Sequence, residues 1–459
     1  MKHDYVNIKD IKTGYQVRIK PNVFLLKGKR IFANLKRNNA INGRLSDIVA
    51  NVFRPGIFKR ILVNSFDFGL PYLTAQAMMT EFPLSSSKTL SRKLTNNLDS
   101  MILEHKSILV SCAGTIGNIR LIDKNMADSV GSQDIIRVIP KEDFGFVYAY
   151  LTSKPVYSYL QSQLYGSVVP RIEPDIVSNI PLVGFAKDVH DEIDSLVKQS
   201  LVLREEASDA LEKAKVKLEH YIDLQFHKNN YKIEVVNSMD IWNSLQHRLD
   251  PPALINDGVL AMREITRRLP YSTIEEINSV VNRPGIFKRI YVEDGIPYIR
   301  GSEIFLNNPF RRCEHLSRTR TPFVDEMTLH EGQILITCAG SVGNIKMITK
   351  EYEDKKAIGS QDIIRLISND ELFTKEYLFI YLQMPFVNDY IQSMKYGSVI
   401  ERIEPFHVES IPVVTPTKEL SEEITAIVRQ YMDCTYRAFN AEEKAITMVE
   451  QEIEKWNKH

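Results

Sequence analysis

The chain has 459 residues, 44% hydrophobic and 25% charged, which is enough for two to four domains with buried cores. Its 58 basic and 58 acidic residues cancel, so net charge alone argues against a polyanionic partner. No apolar run approaches the ~20 residues of a membrane span, and the N-terminus leads into no signal-peptide core, so we expect a cytoplasmic protein that binds no membrane. The four cysteines have neither zinc-site nor disulfide-framework spacing and are expected to be reduced.

The first half of the chain alternates strand patterns with helical ones. After residues 1–44, which have no counterpart elsewhere in the chain, an apolar stretch leads into a Pro-Gly turn. Three stretches then have strand composition, the first two joined by a glycine-containing loop: 107–110, 118–122 and 135–139. Residues 147–164 have helical spacing, and we expect a kink or a break at Pro155 because proline lacks the backbone N–H that a helix interior needs.

Four motifs occur twice in the chain, in the same order. They are Arg-Pro-Gly-Ile-Phe-Lys-Arg at 54–60 and 283–289, Cys-Ala-Gly-Thr/Ser-Ile/Val-Gly-Asn-Ile at 112–119 and 338–345, Gly-Ser-Gln-Asp-Ile-Ile-Arg at 131–137 and 359–365, and Tyr-Gly-Ser-Val followed by Arg-Ile-Glu-Pro within 165–174 and 396–405. The offsets, 226 to 231 residues, are far too long for a solenoid repeat. The chain therefore contains two copies of one domain. We expect a pseudo-twofold molecule, which would suit a target in two parts such as a split DNA site.

The second half repeats the predicted elements of the first. Its strand candidates are 333–337, 344–348 and 363–367, and its helical stretch is 376–394 with Pro385 near the middle. The predicted fold class is therefore mixed α/β, with two tandem domains of roughly 180 residues built on mixed or antiparallel sheets.

A long helical segment follows each domain. Apolar or small residues step by alternating threes and fours at Val189, Ile193, Leu196, Ser200, Leu203, Ala207, Ala210 and Ala214, and again at Leu420, Ile424, Ile427, Tyr431, Cys434, Ala438, Ala441 and Ala445. Such a seam predicts two helices that pair as an antiparallel coiled coil and hold the two domains apart. The alternative is that each helix packs on its own domain. The expected boundaries are 1–185 and 231–414 for the domains and 186–230 and 415–459 for the helices.

The two helical segments also divide the charge of the chain. Residues 186–228 and 415–459 each carry a net charge of −3, which leaves +6 on the remainder. The two domains are therefore modestly basic, and the charge of a segment, rather than of the whole chain, bears on phosphate binding.

Motifs of known catalytic sites are missing from the sequence. It contains no G-x-G-x-x-G, Walker A, H-E-x-x-H or G-x-S-x-G pattern. The tetrapeptide Asp250-Pro251-Pro252-Ala253 approaches an amino-methyltransferase motif, but alanine cannot stack on a flipped base. The acidic pairs Glu205-Glu206 and Glu442-Glu443 lie on the two long helical segments and are interpreted as solvated faces. We expect no enzymatic activity, cofactor or metal in this chain.

The duplicated motifs supply the candidate binding residues. The Pro-Gly turn could present Arg54, Lys59 and Arg60, and their copies Arg283, Lys288 and Arg289, to phosphates or guanine edges, or it could be a rigid corner whose arginines pair with acids. Gln133 and Gln361 suit adenine reading or the capping of a backbone group. The Tyr-Gly-Ser segment and its copy could form a phosphate-contacting loop, or they could be a helix-ending glycine beside a buried tyrosine. The candidate residues of this loop are Tyr165, Ser167, Arg171, Tyr396, Ser398 and Arg402. The Cys-Ala-Gly loops are interpreted first as turns.

The order and duplication of these features resemble the specificity (S) subunit of Type I restriction-modification systems, over nearly the full chain. The hairpins around Cys112 and Cys338, the Gly-Ser-Gln steps, and the segments from Tyr165 to Pro181 and from Tyr396 to Pro412 are similar to those of the family. The resemblance implies two target-recognition domains that each read one half of a bipartite double-stranded DNA site, with the helices as a ruler for the gap.

The resemblance also implies partners: two methyltransferase subunits that carry S-adenosylmethionine and modify adenine, and optionally restriction and translocation subunits. Such a subunit selects the site and needs no catalytic motif of its own. An alternative is an S-like interaction or decoy protein that binds methyltransferase subunits in a related phage-defence complex without reading DNA.

The chain departs from the family in one respect. The family's helices tend to be alike and its recognition domains variable, whereas here the domains share identical motifs and the helices share only their spacing. Identical residues cannot distinguish two different half-sites, so the shared loops are expected to bind phosphate, shape the frame or dock a partner. Sequence reading is then expected from stretches that differ, with the candidates Gln76, Lys88, Arg92, Lys93, Arg300, Arg311, Arg312, Arg318 and Arg320.

Overall fold

The computed structural model describes residues 27–85, 87–165, 169–224, 238–242 and 247–457. The helices are α1 Lys27–Arg37, α2 Leu45–Ile48, α3 Phe144–Thr152, α4 Lys154–Ser162, α5 Pro174–Ser178, α6 Lys187–Ile222, α7 Ser238–Trp242, α8 Pro251–Ile255, α9 Asp257–Arg268, α10 Val324–Met327, α11 Lys350–Asp354, α12 Lys375–Leu382, α13 Pro385–Ser393, α14 Pro405–Glu409 and α15 Lys418–Asn457.

The strands fall into two sets with matching order along the chain. The first set is β1 Ile41–Arg44, β2 Val49–Phe53, β3 Leu62–Val63, β4 Gly69–Leu73, β5 Lys88–Ser91, β6 Ile108–Ser111, β7 Ile119–Leu121, β8 Val130–Gly131, β9 Ile135–Pro140 and β10 Pro181–Val183. The second is β11 Tyr271–Thr273, β12 Ser279–Asn282, β13 Tyr291–Val292, β14 Ile296–Ile299, β15 Glu314–Leu316, β16 Ile334–Thr337, β17 Ile345–Met347, β18 Ile358–Gly359, β19 Ile363–Ser368 and β20 Pro412–Val414.

The described chain divides into two compact units. Unit 1 takes in the described residues up to 205 together with those from 437 onward, and unit 2 takes in 206–436. Each long helix therefore contributes one part to each unit. No helix in the described ranges combines the length and the apolar character needed to cross a membrane.

Unit 1 is built on two four-stranded sheets and a short strand pair. One sheet is antiparallel in the order β2-β9-β6-β7, and the other is mixed in the order β3-β5-β4-β8, with β4 and β8 parallel. The predicted hairpin is confirmed, since Ile108 lies opposite Leu121 and Val110 opposite Ile119. Strand β1 pairs with β10, which brings the two ends of the domain together.

Unit 2 has the same topology as unit 1. Its sheets have the orders β12-β19-β16-β17 and β13-β15-β14-β18, again with one parallel pair, and β11 pairs with β20. The prediction of a mixed α/β domain that occurs twice is therefore confirmed.

The predicted interruption at each proline is a break between two helices. Helix α3 ends at Thr152 and α4 begins at Lys154, so that Pro155 stands in the first turn of α4. Helix α12 ends at Leu382, and α13 begins at Pro385 itself. A first-turn residue has no intrahelical use for its N–H, so proline is tolerated there.

The core of unit 1 draws on both ends of the chain. Apolar residues of its antiparallel sheet and of α3 and α4 form one buried cluster with Ala445, Ile446, Val449 and Ile453 of α15. Ala445, Val449 and Ile453 are four residues apart and Ile446 is three before Val449, so all four lie on one side of the helix. The C-terminal part of α15 is therefore a structural component of unit 1.

The seam residues of the two long helices are buried. In α6, Val189 and Leu196 are half-buried and the other six seam residues are buried; in α15 Leu420 is half-buried and the other seven are buried. In unit 1, the Ser200 hydroxyl donates to the carbonyl of Ala438 at 2.8 Å. Lys444 and Glu192 of the same unit form an ion pair at 2.7 Å. Numbers rise along one helix as they fall along the other, so the helices run antiparallel in unit 1.

The same direction of pairing holds in unit 2. There Lys217 forms an ion pair with Glu423 at 2.6 Å, and Cys434 Sγ lies 3.8 Å from Glu206 Oε2. The expected antiparallel arrangement is thus confirmed within each unit.

The alternative of packing on the nearest domain also holds for the first part of α6. Asp194 Oδ1 accepts hydrogen bonds from the backbone N–H groups of Gly145 and Phe146 at 2.9 and 3.2 Å. Residue 145 must be glycine for this approach, because a Cβ there would lie 2.4 Å from the Asp194 carbonyl oxygen.

Candidate nucleic-acid interface

The four duplicated motifs meet in one place in each unit. In unit 1, the backbone N–H of Cys112 donates to Asp134 O at 3.1 Å, and the N–H of Ile172 donates to Cys112 O at 3.1 Å. The same bonds recur at 3.1 and 3.0 Å from Cys338 and Ile403 in unit 2. We call this assembly the duplicated loop face, formed by residues 54–60, 112–117, 131–134, 165 and 169–173 in unit 1 and by 283–289, 338–343, 359–362 and 396–404 in unit 2.

An Arg–Glu–Tyr clamp holds one end of the Pro-Gly segment in unit 1. Arg54 Nη2 lies 3.3 Å from Glu173 Oε2, and the hydroxyl of Tyr165 donates to the other oxygen of the same carboxylate. Loss of water and this hydrogen bond to Glu173 raise the pKa of Tyr165 above its ordinary value. Arg54 is therefore a joint between two loops, as the rigid-corner interpretation expects.

The clamp has the same chemistry in unit 2. Arg283 Nη1 donates to Glu404 Oε2 at 2.7 Å, and the Tyr396 hydroxyl donates to Glu404 Oε1 at 2.8 Å. Both side-chain oxygens of Glu404 are thus engaged, and the first arginine of each heptapeptide is neutralised where it stands.

The last arginine of each heptapeptide is held more loosely. Arg60 Nη2 lies 3.9 Å from Asp134 Oδ2, and its guanidinium carbon lies 5.6 Å from the ring centroid of Tyr72. The side chain of Arg60 remains 48% exposed. An ion pair this long and exposed contributes about 0–1 kcal/mol, so the guanidinium can exchange Asp134 for an incoming anion at little cost.

Unit 2 repeats this arrangement. Arg289 Nη2 lies 3.9 Å from Asp362 Oδ2 and its guanidinium 5.7 Å from the ring centroid of Tyr298. Lys59 and Lys288, one residue before each arginine, are exposed, and the structure shows no ion pair for either of them within its described part. These four cations are the ones best placed to meet phosphate.

A buried arginine supports the Gly-Ser-Gln-Asp segment from below. The Arg137 guanidinium donates to the carbonyls of Ile135 and Gly131 at 2.8 Å and of Ser132 and Met101 at 3.3 Å. Burial lowers its pKa to about 10. Arg137 stands on β9 of one sheet and Gly131 on β8 of the other, so this side chain joins the two sheets and fixes the segment.

Arg365 does the same in unit 2, with bonds to the carbonyls of Ile363 and Gly359 at 3.0 Å and of Met327 at 3.3 Å. Burial lowers the pKa of Arg365 to about 10 as well. Because both copies use only backbone carbonyls, the support does not depend on side chains that differ between the units.

The two glutamines lie at the edge of this support. Gln133 is half-buried and Gln361 is buried. The Oε1 atom of each has no hydrogen-bond partner within the described part of the chain. Capping of a backbone N–H was one of the two roles expected for Gln133 and Gln361. It is not observed at these oxygens.

The Tyr-Gly-Ser loop is closed by a backbone pair at its base. In unit 2, Tyr396 and Arg402 exchange both backbone hydrogen bonds at 3.1 and 2.9 Å. Gly397 has φ +102°, which favours glycine, and Ser398 is exposed. In unit 1, Tyr165 and Arg171 form the same pair at 3.0 and 2.8 Å.

In both units the tyrosine of this loop is half-buried rather than buried, and the side chains of Arg171 and Arg402 are half-buried. The remaining candidate, Ser167, lies outside the described residues.

The sequence-reading candidates differ in their exposure to solvent and in the contacts of their side chains. Arg300 pairs with Glu303 at 2.7 Å and with Glu314 at 3.6 Å, and Arg318 with Asp294 at 3.6 Å. Arg92 is exposed overall, but its Nε donates to Gly69 O at 3.2 Å, while Arg311 is half-buried in a short 3₁₀ helix. The other exposed candidates are Gln76, Lys88, Lys93, Arg312 and Arg320.

Sequence reasoning missed several residues that shape this face. Four of them belong to the duplicated motifs but were not among the predicted binding residues: Glu173, Glu404, Arg137 and Arg365. The tyrosines under the last arginines belong to a fifth duplicated segment, Gly-Leu-Pro-Tyr-Leu at 69–73 and Gly-Ile-Pro-Tyr-Ile at 295–299, which a search for identical letters overlooks.

All four cysteines are free, and the duplicated ones, Cys112 and Cys338, are buried. Burial raises the pKa of both thiols to about 11, from an ordinary value near 9. Within the described residues, no three His, Cys, Asp or Glu side chains group as a metal site.

Alkaline pH is expected to destabilise the protein through these two thiols. The unfolded chain loses their protons above about pH 9 while the folded chain keeps them to about pH 11, so the free energy of unfolding falls across that window. Each thiol contributes about 2–3 kcal/mol to the fall, at 1.36 kcal/mol per pKa unit. Urea unfolding of the wild type and of Cys112→Ala/Cys338→Ala should show a shallower decline for the variant, and parallel curves would contradict the assignment.

A comparison with protein families gives one match. The model described as "Type I restriction modification DNA specificity domain" matches residues 43–183 and 271–448, well over half of the chain. No curated protein matches the chain.

Solved structures similar to the chain include an S subunit of a Type I restriction-modification system from M. genitalium, 14% identical with a TM-score of 0.36, covering 92% of this chain and 98% of that one. A second is the HsdS subunit from Thermoanaerobacter tengcongensis, 12% identical with a TM-score of 0.28, covering 90% and 95%. A third comes from a study of complex assembly and conformational transition of the type I R-M system, 11% identical with a TM-score of 0.28, covering 90% and 96%.

Proposed function

The chain belongs to the family of Type I restriction-modification DNA specificity domains, and on that premise we propose that it directs methyltransferase subunits to a bipartite DNA site. The observation that carries the proposal is the duplicated loop face, which the chain builds twice from the same residues, once in each unit. A protein with two equivalent faces suits a target with two parts.

The two kinds of residue on each unit divide the work of recognition. Identical residues contact what both half-sites share, the sugar-phosphate backbone, and Lys59, Arg60, Lys288 and Arg289 serve this role. Residues that differ between the units read the bases, from the exposed set around Lys88 and Lys93 in unit 1 and around Arg312 and Arg320 in unit 2. Phosphate contacts position a protein on DNA, and base contacts give it specificity.

The long helices set the distance between the two half-sites in this proposal. Their antiparallel contacts inside each unit, such as Ser200 with Ala438 in unit 1 and Lys217 with Glu423 in unit 2, support a fixed helical spacer. Two methyltransferase subunits, which hold S-adenosylmethionine and modify adenine, complete the complex, and restriction subunits add cleavage. The chain itself is non-catalytic and works in the cytoplasm on cellular and phage DNA.

Comparison of the host methylome with and without the gene tests the proposed function. We expect one bipartite, non-palindromic motif to lose adenine methylation when the gene is deleted and to regain it on complementation. An unchanged methylome would contradict the proposal. That result would favour the alternative, an S-like protein that binds methyltransferase subunits without reading DNA. If the purified chain binds DNA with an affinity that falls steeply with salt, this alternative is contradicted.

Loss of Arg60 or Arg289 is expected to weaken binding to all DNA sequences alike. Each Arg→Ala change removes one phosphate contact, so the slope of log K against log salt should fall in magnitude by about 1. Fluorescence anisotropy at several salt concentrations measures this. Arg54→Ala serves as the matched comparison, because the clamp with Glu173 predicts lower stability for it with no change in salt slope. An unchanged slope for Arg60→Ala would assign Arg60 to the frame.

A further inference from the structure

The most exposed large apolar side chains of the described chain all belong to the duplicated loop face. Val399 is 92% exposed, Ile57 90% and Ile286 79%. Single exposed apolar residues are ordinary on protein surfaces. Here, however, Ile57 and Ile286 are the same residue at the same position of a loop that occurs in both units.

The loop that carries Ile57 is anchored on both sides of its tip. Arg54 is held by Glu173, Pro55 is buried, and the carbonyl of Ile61 accepts a hydrogen bond from the Ser91 N–H at 2.8 Å. Residues 54–61 form neither helix nor strand. The side chain is therefore presented outward from a segment whose shape is fixed by contacts at each end.

The Ile286 loop repeats this anchoring. Arg283 is held by Glu404, Pro284 is buried, and the carbonyl of Ile290 accepts a hydrogen bond from the Ser317 N–H at 3.0 Å. Nothing in the described chain covers Ile286 itself. The fold therefore already orders the backbone that carries this side chain, which lowers the entropic cost of a contact made there.

The charges around each tip indicate the partner. Lys59 and Arg60 follow Ile57 within three residues, and Lys288 and Arg289 follow Ile286 in the same way. DNA-bending proteins combine apolar wedges such as isoleucine with lysine and arginine side chains that contact the DNA, and this combination occurs at both tips. DNA presents the complementary arrangement, since a polyanionic backbone surrounds the apolar faces of its stacked bases.

We propose that Ile57 and Ile286 each insert between stacked base pairs of one half-site, with the neighbouring lysine and arginine on the flanking phosphates. The inference rests on the proposed function and extends it from backbone contact to local unstacking. Apolar wedges of this size inserted from the minor groove open base steps at a cost of a few kcal/mol. A wedge needs no particular base sequence, which explains how one residue serves two different half-sites.

Fluorescence of 2-aminopurine tests the insertion. Duplexes of the methylated motif carry the probe at successive steps, and the full chain is added alone and with its methyltransferase partner. We expect wild type to raise the emission at one step in each half-site. Ile57→Ala should abolish the signal in one half-site, Ile286→Ala in the other, and the double variant in both, with at least a tenfold loss of affinity.

Two matched variants separate insertion from other roles. Ile57→Leu keeps an apolar side chain of the same volume and should retain the signal. Lys59→Ala should retain the signal while lowering the salt slope, whereas the isoleucine variants should lose the signal with an unchanged slope. Since Ile57 and Ile286 are exposed, the alanine variants are expected to unfold at the wild-type temperature.

Three results would overturn the inference. If wild type binds the duplex with no change in emission at any step, or if the alanine variants match wild type, the wedge is wrong while the proposed function stands. If the alanine variants bind DNA normally but no longer co-purify with the methyltransferase, the loop docks a protein. If wild type binds no DNA even with its partner, the proposed function itself fails.

Discussion

A chain truncated after residue 436 is expected to lose the fold of unit 1 and keep that of unit 2. The truncation removes Ala445, Ile446, Val449 and Ile453 from the core of unit 1. Burial of each larger apolar side chain contributes about 1.5–3 kcal/mol, which for three of them approaches the whole stability of a typical domain, about 5–15 kcal/mol. Limited proteolysis with mass spectrometry should find cleavage throughout residues 27–205 and protection of 247–436.

Point variants on the same helix give the matched test. Val449→Asp places a charge in the unit 1 core and should reproduce the effect of truncation, whereas Gln451→Asp, two residues further along on the exposed face, should leave unit 1 folded. Equal protection of both units in the truncated chain would show that the core of unit 1 closes without α15.

Removal of either partner of the ion pair between Arg204 and Glu442 is expected to cost about 3–5 kcal/mol, because the remaining charge stays buried and loses its ion-pair partner. Arg204 Nη2 lies 2.8 Å from Glu442 Oε2, and the Tyr148 hydroxyl donates to the other oxygen of the carboxylate at 3.0 Å. The side chains are 16% and 4% exposed, so the expectation of a solvated face is wrong for Glu442, which pairs with Arg204 inside the fold. Urea unfolding of Arg204→Ala and Glu442→Ala measures the effect.

Two controls make this prediction specific. The double replacement Arg204→Met with Glu442→Leu removes both charges and should be much less destabilising than either single change. Lys444→Ala, which breaks the exposed pair with Glu192 on the same two helices, should cost no more than about 1 kcal/mol. If the double replacement costs as much as the two single alanine changes added together, Arg204 and Glu442 do not depend on each other.

The second prediction concerns how the helix seam acquires a defined register. A seam that ends in alanines on both helices permits close approach but distinguishes poorly between neighbouring registers. The buried pair, with the Tyr148 hydroxyl as a third member, ties one position of α6 to one position of α15 and to the domain. Such polar contacts inside an apolar interface are a known means of fixing register.

The boundaries of strands and helices were open to sequence reasoning because they depend on local properties. Strand composition, rich in isoleucine and valine, predicted β6, β7 and β9 to within one or two residues. Pro155 predicted a helix boundary because a missing N–H acts on the residues next to it. The threes-and-fours spacing of the seam predicted a buried face on each long helix, since 3.6 residues complete a turn.

Sequence reasoning could not assign the roles of individual charged residues. Arg54 and Arg60 stand six residues apart in one motif and looked equivalent as phosphate ligands, yet Arg54 is held by Glu173 and Arg60 is nearly half exposed. The partner of Arg283 lies 121 residues away along the chain. A contact at that separation depends on how strands and loops pack, which no local pattern encodes.

By itself, the sequence determined that one domain occurs twice, that two amphipathic helices follow, and which loops the two copies share, because identity and periodicity are properties of the chain alone. Only the tertiary structure decided which shared residues face outward: burial turned the first arginines into a clamp and left Ile57 and Ile286 exposed beside their cations. It also decided that α15 completes unit 1, through a contact between Tyr148 and Glu442 spanning 294 residues. Apolar faces are buried wherever a complementary surface exists, and the position of that surface is set by the whole fold.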